Sequence, residues 1–364
     1  MTVRWQAPGR VNLIGEHTDY NQGFALPFAI DSACTATASI RGSATVEVKS
    51  AQIEEPVVVD LDDLRPGVGE WAGYALGVPW ELQRRGVDVP GLTIELNSTV
   101  PRGAGLSSSA ALVCSVVTAL DELLGLVLSP ADLLAVSRAV ENDFVGAPTG
   151  GMDQLAALRC TADHALFCDM RTLETEQVPL ELAPNGLAVL VVDTRAEHAH
   201  ASGEYRRRRD GCERAAALLG VPALRDIARS DLDSALSRLD DEELRRYTRH
   251  VVTEDERVLE TVALLGEGRC AEIGPLLSAS HASMRDDFRI TIPELDVAAE
   301  TLERAGALGA RMTGGGFGGC VIALVATELV EDAKAAVRRA YRAHGFRDPT
   351  AFTARPSAGA RKLA

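Results

Sequence analysis

The densest group of potentially reactive side chains lies near the start of the chain, in the stretch GRVNLIGEHTDYNQG at residues 9–23. Arg10, Glu16, His17 and Asp19 fall within ten positions of one another, next to an apolar run. Such a set could bind a metal ion, exchange protons, contact the hydroxyl groups of a sugar, or form a solvated turn. The stretch alone leaves these four interpretations open.

A second group of residues, PRGAGLSSSAAL at 101–112, has the composition of an anion-binding loop. Gly103 and Gly105 precede Ser107, Ser108 and Ser109, and a helical pattern of apolar residues follows. Backbone N–H groups at a helix N-terminus carry about half a positive charge, and small residues let a phosphate approach them. A simple helix cap would need only one serine, so the pattern favours phosphate binding.

The chain contains few lysines, which limits how a phosphoryl group could be neutralised. Lys49, Lys334 and Lys362 lie far from this loop in the sequence, so it is not a Walker A loop. Arginine or magnesium must supply the positive charge. Ser109 is a candidate hydroxyl ligand for magnesium, and Glu141 is a candidate carboxylate if it points between two helices rather than into solvent.

The third motif, TGGGFGGC at 313–320, formally satisfies the dinucleotide pattern G-x-G-x-x-G. A strand-like run follows it where a dinucleotide site requires a helix, so this interpretation is disfavoured. A tight turn close to a ligand, or a hairpin without function, is expected instead. His198 and His200 lack a third nearby ligand, so a metal site there is also disfavoured. The turn contains Gly314, Gly315, Gly316, Gly318 and Gly319.

Apolar periodicity and turn residues define the elements that must position these motifs. Strands are predicted at 3–14, 25–40, 44–59, 91–101 and 186–194. Helices are predicted at 71–85, from the serines to about Gly125, and from Ser129 to about Val145, where capping and glycine signals mark the ends. The region from 195 to about 305 is mainly helical, and a last helix is predicted near 328–343.

Length and charge limit the class of protein. The 364 residues predict two domains, 1–185 and 186–364, because single cores stop growing at roughly 250 to 300 residues. A formal net charge of −15 disfavours nucleic acid as a partner. Widely spaced cysteines, seven in number, predict unpaired thiols, and no apolar run is long enough to span a membrane. We therefore expect a cytoplasmic protein that acts on small molecules.

The three motifs together resemble those of the galactose, homoserine, mevalonate and phosphomevalonate kinases, the GHMP kinases. PRGAGLSSSAAL is similar to the family's phosphate loop, MTGGGFGGC to its third motif, and GRVNLIGEHTDYNQG to the signature of its galactokinase branch. The similarity continues through ENDFVGAPTGGMDQ and GEYRRRRDGCE. It implies a two-domain α+β fold of two-layer sandwiches, with an N-terminal domain like the second domain of ribosomal protein S5, a ferredoxin-like C-terminal domain, and the active site between them.

The resemblance also implies a role for each group of residues. In this family Glu16, His17, Asp19 and Tyr205 would hydrogen-bond the sugar, with help from the backbone around Gly151. The nucleotide would lie on the phosphate loop, with adenine near Trp71 and Tyr74. The implied ATP-binding loop residues are Gly103, Ala104, Gly105, Leu106, Ser107, Ser108, Ser109 and Ala110.

By the same resemblance, Asp153 faces the anomeric hydroxyl, Arg10 lies beside it, and Ser109 and Glu141 hold Mg²⁺. The expected reaction is transfer of the ATP γ-phosphoryl group to the C1 hydroxyl of α-D-galactose. A kinase of another sugar, such as N-acetylgalactosamine or arabinose, and a noncatalytic sensor of galactose and ATP are the alternatives. The expected state is a monomer, or a weak homodimer.

Overall fold

The structure is a computed structural model that describes residues 1–101, 103–147, 149–196 and 201–364. His198 and His200 lie outside the described residues. The strands are β1 Thr2–Asn12, β2 Phe24–Ala25, β3 Pro27–Ile40, β4 Thr45–Ser50, β5 Ile53–Asp60, β6 Leu92–Ser98, β7 His164–Asp169, β8 Thr175–Pro179, β9 Leu187–Asp193, β10 Gly309–Thr313, β11 Cys320–Ala326, β12 Thr350–Ala354 and β13 Arg361–Lys362. The helices are α1 Gly73–Arg84, α2 Ser108–Leu124, α3 Pro130–Ala139, α4 Met152–Arg159, α5 Ala201–Leu219, α6 Leu232–Ser237, α7 Glu242–Gly266, α8 Gly274–Ser283, α9 Pro293–Arg304 and α10 Val330–His344.

Three sheets organise the described strands. The first has the order β13-β1-β3-β6-β4-β5, and its β4–β6 pair is parallel. The second has the order β10-β11-β9-β12 and is antiparallel, and the small third sheet has the order β2-β7-β8. Helices α1 and α2 contribute buried faces to the same hydrophobic core as the first sheet.

Local sequence signals explain the helix boundaries around the phosphate loop. Helix α2 ends at Gly125, whose φ of 64° is the left-handed conformation that glycine adopts without steric cost. Helix α3 begins with a capping box between Ser129 and Asp132, with Pro130 in the first turn. It continues as a π-helical turn, Val140–Val145, which ends at Gly146. The helices predicted here are therefore confirmed.

The second half of the chain is mainly helical between β9 and β10, as the sequence predicts. Helix α7 is its longest helix, and one face of α7 is buried against the rest of the molecule. Strands β10 and β11 flank the glycine turn and are almost fully buried, so this turn is fixed at both ends. A core of apolar residues from β9 to β11 and the helices around them fills this half.

The structure differs from the sequence prediction in several elements. The predicted strand 44–59 is two strands, β4 and β5, joined by a tight turn at residues 51–52. Strands β7, β8, β12 and β13 were not predicted, because they are short or only partly buried. Strand β13 pairs with β1, so residues 361–362 return to the first sheet. The domain division at 185 stays a prediction.

Two expectations from composition concern the whole chain. All seven cysteines are buried and unpaired, as their spacing predicts. None of the helices within the described ranges is both long and apolar enough to cross a membrane.

Candidate active site

An irregularity in the first sheet orients the side chain of Arg10. The pairing of β1 with β3 shifts register between Pro8 and Arg10, a bulge that re-aims side chains. A Cβ at Gly9 would lie 2.6 Å from the carbonyl oxygen of Leu106, so only glycine permits this approach to the phosphate loop. Arg10 is therefore buried, and its Nη1 donates a hydrogen bond to the carbonyl oxygen of Gly105 at 2.7 Å.

Asp153 lies in the first turn of α4 and is held by two donors. Arg10 Nε donates a hydrogen bond to its Oδ1 at 2.8 Å, and Arg10 Nη2 forms an ion pair with the same oxygen at 2.7 Å. The Ser107 hydroxyl donates to Oδ2 at 2.5 Å. Ser107 has a left-handed φ of 56° as the N-cap of α2, and it makes its bond to Asp153 from this position. The sequence prediction that Arg10 lies beside Asp153 is thus matched by the contacts of the two side chains.

The glycine turn of the C-terminal half packs directly on the phosphate loop. A Cβ at Gly314 would lie 3.2 Å from the carbonyl oxygen of Gly105, which leaves little room for a side chain. Gly314 also has a φ of 92°. Gly315, Gly316, Gly318 and Gly319 complete the turn, and it is a strand–turn–strand unit, not the start of a helix. The expected turn close to the site is what the structure contains.

Glu16 is buried and its two carboxylate oxygens already accept four hydrogen bonds. Oε2 accepts from Asn12 Nδ2 at 2.8 Å and from Arg311, with which it forms an ion pair. Oε1 accepts from Thr313 Oγ1 at 3.2 Å and from the Gly314 N–H at 2.8 Å. Burial raises the pKa of Glu16, and the Arg311 guanidinium partly offsets that effect. Glu16 borders the smaller pocket described below, but it primarily joins the two halves of the chain.

Both ring nitrogens of His17 also have hydrogen-bond partners within the protein. Nε2 lies 3.2 Å from the Gly315 carbonyl oxygen, which can only accept, so Nε2 carries the proton. Nδ1 then accepts from the Tyr20 hydroxyl at 2.7 Å. Burial lowers the pKa of His17 to about 3, so the ring is neutral. The contact of Glu16 and His17 with sugar hydroxyls stays a prediction.

Asp19 and Tyr205 face the same pocket with their polar atoms less engaged. No ion pair of Asp19 occurs among the described residues, and burial raises its pKa. A Cβ at Gly150 would lie 2.3 Å from Asp19 Oδ2, so the glycine at 150 makes room for this carboxylate. The ring of Tyr205 packs against His17 at 5.1 Å between centroids, and burial raises the pKa of its hydroxyl.

These residues surround a cavity of about 200 Å³. Its lining residues come from both halves of the chain: Arg10, Asn12, Gly15, Glu16, His17, Asp19, Thr149, Gly150, Gly151, Met152, Asp153, Tyr205, Gly314 and Gly315. The predicted catalytic and sugar-binding residues are therefore brought together in one place.

A second cavity, of about 600 Å³, lies on the other side of the phosphate loop. It is lined by five of the ten residues predicted to bind ATP, namely Trp71, Tyr74, Gly103, Ser108 and Ser109. Gly105 and Ser107 instead contact the smaller pocket through Arg10 and Asp153. Ala104, Leu106 and Ala110 are buried and anchor the loop in the core.

Glu141 is a buried carboxylate that lies close to Ser109 of this loop. The π-helical turn carries it, and its Oε1 has no hydrogen-bond partner among the described residues. Burial, reinforced by the charge of Asp153, raises the pKa of Glu141 to about 8, while Ser109 and Gln154 are close enough to offset part of the shift. A buried carboxylate oxygen without a donor, beside a serine hydroxyl, is a set of hard oxygen atoms that suits Mg²⁺.

Sequence reasoning missed two residues that hold this site together. Arg311 lies in β10 with a fully buried side chain, and it also donates to the carbonyl oxygen of Leu13 at 2.8 Å. Asn12 is buried at the end of β1 and donates to Glu16. The available signal was an arginine inside GARMT, a strand whose five residues are all buried. A charge in such a strand requires a buried partner of opposite sign.

Comparison with known proteins assigns this arrangement to a class. The family model for the GHMP kinases N terminal domain matches residues 73–160, and the model for the GHMP kinases C terminal domain matches residues 261–343. The crystal structure of a mevalonate kinase superposes with a TM-score of 0.70 at 17% identity, covering 98% of both chains, which shows a shared fold. Fold and site thus define a GHMP kinase.

More specific matches cover almost the whole chain. The galactokinase galactose-binding signature matches residues 2–40. The galactokinase of Streptomyces coelicolor is 52% identical over 99% of this chain and 94% of its own length, and that of Mycobacterium tuberculosis is 44% identical over 96% of each. The Lactococcus lactis galactokinase complexed with galactose superposes with a TM-score of 0.95 at 33% identity, covering 100% of this chain and 95% of that one. The chain belongs to the galactokinase family.

Proposed function

We propose that this protein transfers the γ-phosphoryl group of ATP to the C1 hydroxyl of α-D-galactose, giving α-D-galactose 1-phosphate and ADP. The observation that carries the proposal is the position of Asp153, which lines the smaller pocket and bonds to Ser107. The next residue, Ser108, lines the larger cavity. A sugar in the first cavity and a nucleotide in the second would therefore meet at Asp153.

Phosphoryl transfer has a loose transition state, so the protein mainly aligns the reactants and stabilises charge on the phosphoryl oxygens. Arg10 supplies a fixed positive charge at this point, because its guanidinium is buried and held by Asp153 and Gly105. Asp153 accepts the proton of the C1 hydroxyl or orients its oxygen. The Ser107 hydroxyl and Arg10 keep the carboxylate of Asp153 in one orientation for either role.

Magnesium would be held by Ser109 and Glu141, the serine hydroxyl and the carboxylate with an unbonded oxygen. Within the described ranges no three His, Cys, Asp or Glu side chains cluster as a metal site, so nucleotide phosphates and water would complete the coordination. When bound, the ion neutralises phosphate charge. Glu141 is itself buried and lies close to Ser109, which supports this assignment.

Sugar recognition falls mainly to Asp19, Tyr205 and the backbone around Gly151. Asp19 and Tyr205 face the pocket with polar atoms that the protein does not saturate, whereas Glu16 and His17 already have protein partners. We propose that Asp19 binds the O3/O4 edge that distinguishes galactose from glucose. Glu16 and His17 would contact the sugar as secondary ligands and fix the shape of the loop.

A coupled assay of ADP release tests the function and its alternatives together. The purified protein is given Mg-ATP with galactose, N-acetylgalactosamine, arabinose or no sugar. Galactose-dependent ADP release, with galactose preferred over the other two sugars, is the expected result. A preference for another sugar would redirect the proposal to a sister kinase, and binding without turnover would indicate a sensor.

The monomeric state and the cytoplasmic location stay predictions. Light scattering would test the first and cell fractionation the second.

A further inference from the structure

We propose that helix α7 holds the sugar loop, residues 15–24, in its binding shape, and that His250, Glu254 and Asp255 are positioning residues for galactose. The inference rests on the proposed function of this pocket. The loop belongs to the N-terminal half, while α7 spans Glu242–Gly266 in the C-terminal half. We name these three side chains the α7 clamp.

The first contact of the α7 clamp fixes the start of the loop. Glu254 Oε1 accepts a hydrogen bond from the Gly15 N–H at 3.0 Å. Glu254 is itself buried, and its carboxylate accepts hydrogen bonds from Ser280 Oγ at 2.7 Å and from Arg257 Nε at 2.8 Å. These neighbours keep the pKa of Glu254 at about 2 despite its burial. The charged acceptor is therefore present at any physiological pH.

The second contact fixes the residue that follows Gly15. His250 Nε2 lies 3.1 Å from the carbonyl oxygen of Glu16, so Nε2 must donate and carries the ring proton. Nδ1 then accepts from the Ser283 hydroxyl at 2.9 Å. Burial lowers the pKa of His250 to about 4, so the ring is neutral and keeps this tautomer. The peptide between Glu16 and His17 is thereby held from the opposite half of the chain.

The third contact fixes the end of the loop. Asp255 Oδ1 accepts from the Phe24 N–H at 2.8 Å. A Cβ at Gly23 would lie 2.4 Å from the same oxygen, so the chain passes Asp255 in close contact. Burial raises the pKa of Asp255 to about 7, which means that its ionised form lowers stability. Among the described residues Asp255 Oδ2 has no hydrogen-bond partner, so the carboxyl group serves this one loop backbone group, which fits a positioning role better than a role in packing.

His250 and Glu254, four positions apart, are neighbours on the surface of α7, and Asp255 extends this buried side of the helix by one further position. Val258 of the same helix lies 3.0 Å from where a Cβ of Gly15 would be. The contacts bracket the segment that carries Glu16, His17 and Asp19. His17, inside this segment, has a left-handed φ of 62°, which non-glycine residues adopt uncommonly. The α7 clamp contacts the backbone on both sides of this residue.

Three variants of the full chain test the clamp. Asp255→Ala removes the acceptor for Phe24, Asp255→Asn keeps an acceptor oxygen, and Glu256→Ala removes the next carboxylate of α7, which is 53% exposed. Each is measured by calorimetry for its galactose Kd, by kinetics for both KM values, and by hydrogen exchange of peptides that cover residues 15–24.

We expect Asp255→Ala to raise the galactose Kd and KM at least about tenfold, because the Phe24 N–H loses its acceptor, with a change in ATP KM below about twofold. Exchange should become faster in the sugar loop, and Asp255→Asn and Glu256→Ala should stay within about threefold of the parent Kd. A merely structural residue would instead lower the active fraction and hence kcat, with both KM values unchanged.

A parent-like galactose Kd for Asp255→Ala, or an Asn variant no better than the Ala variant, would overturn the clamp. If Asp255→Ala does not fold, His250→Leu removes a different contact of the same clamp and carries the same expectation. If the parent protein neither binds nor phosphorylates galactose, the proposed function fails. Hydrogen exchange of the sugar loop in the parent and in Asp255→Ala still decides the clamp in that case.

Discussion

Arg10 and Glu16 belong to one short stretch of sequence, yet they are held by different parts of the molecule. The side chain of Arg10 contacts Gly105 and Asp153, both in the N-terminal half. Glu16 pairs with Arg311, which lies 295 positions away in the C-terminal half. The contacts of the Arg10 side chain therefore lie within one half, whereas those of Glu16 join the two halves.

The comparison also separates polar groups that can still contact a ligand from polar groups whose hydrogen bonds are already made within the protein. Asp153 retains partial exposure, with 22% of its side chain accessible, as its proposed contact with a substrate requires. Glu16 retains 3% and has four protein donors. A polar residue in a binding signature can thus stabilise the shape of the site as well as bind the ligand. Four substitutions test this distinction between residues that meet a ligand and residues that stabilise the shape of the site.

The largest effect is expected from Arg311→Met, which removes the cation that pairs with Glu16 and lies 3.6 Å from Glu254. Removing one partner of a buried ion pair typically lowers the free energy of unfolding by about 3 to 5 kcal/mol, because the other charge stays buried. Urea denaturation measures this change in the free energy of unfolding. Arg304→Met, at a side chain that is 72% exposed, is the matched control and should change little. Equal stabilities would show that the contact between the halves lies elsewhere.

Asp153→Asn comes next and tests the phosphoryl side. We expect kcat to fall at least about a hundredfold, the low end for loss of a general base, with little change in the galactose Kd. Steady-state kinetics and calorimetry measure the two quantities. Asp143→Asn, in the π-helical turn with a 56% exposed side chain, provides the control. Near-normal turnover of the Asp153 variant would remove this residue from the mechanism.

Asp19→Ala tests which residue of the sugar loop contributes selectivity. A site that bonds a hydroxyl discriminates strongly against analogues that lack it, so we expect the preference for galactose over glucose and 4-deoxygalactose to fall at least about tenfold. The measurement is kcat/KM for the three sugars. Asp31→Ala, at an exposed position of β3, is the control. An unchanged selectivity ratio would assign discrimination to another residue.

The smallest effect is expected from Gly150→Ala, which places a methyl group against Asp19 Oδ2. Displacing the carboxylate should raise the galactose KM roughly fivefold, the equivalent of about 1 kcal/mol of overpacking, and leave the ATP KM unchanged. Gly266→Ala adds the same group where no atom lies within 4 Å. If both variants keep the parent KM for galactose, Asp19 has more freedom than its contact with Gly150 suggests.

The sequence predicts those parts of the fold that local signals specify. Gly125 and Ser129 mark helix ends because left-handed backbone and capping hydrogen bonds depend on neighbouring residues. It also predicts that Arg10 and Asp153 meet, but only through resemblance to a family. Three of the four bonds on Glu16, and the bond of His17 Nε2, come from residues about 300 positions away. No local pattern contains that information, although the charge of Arg311 in a buried strand indicated that a partner must exist.

The pairing of β13 with β1 has a consequence for folding. Trp5 and Gln6 lie opposite Lys362 and Arg361, so this edge of the first sheet joins almost the two extremes of the sequence. Contacts of such long separation form late, because the chain must first lose the entropy of closing a very large loop. Until then, the strand that carries Arg10 presents an unpaired edge of the kind that pairs with other chains. Removal of residues 361–362 should therefore increase aggregation during refolding more than it reduces the activity of molecules that have already folded.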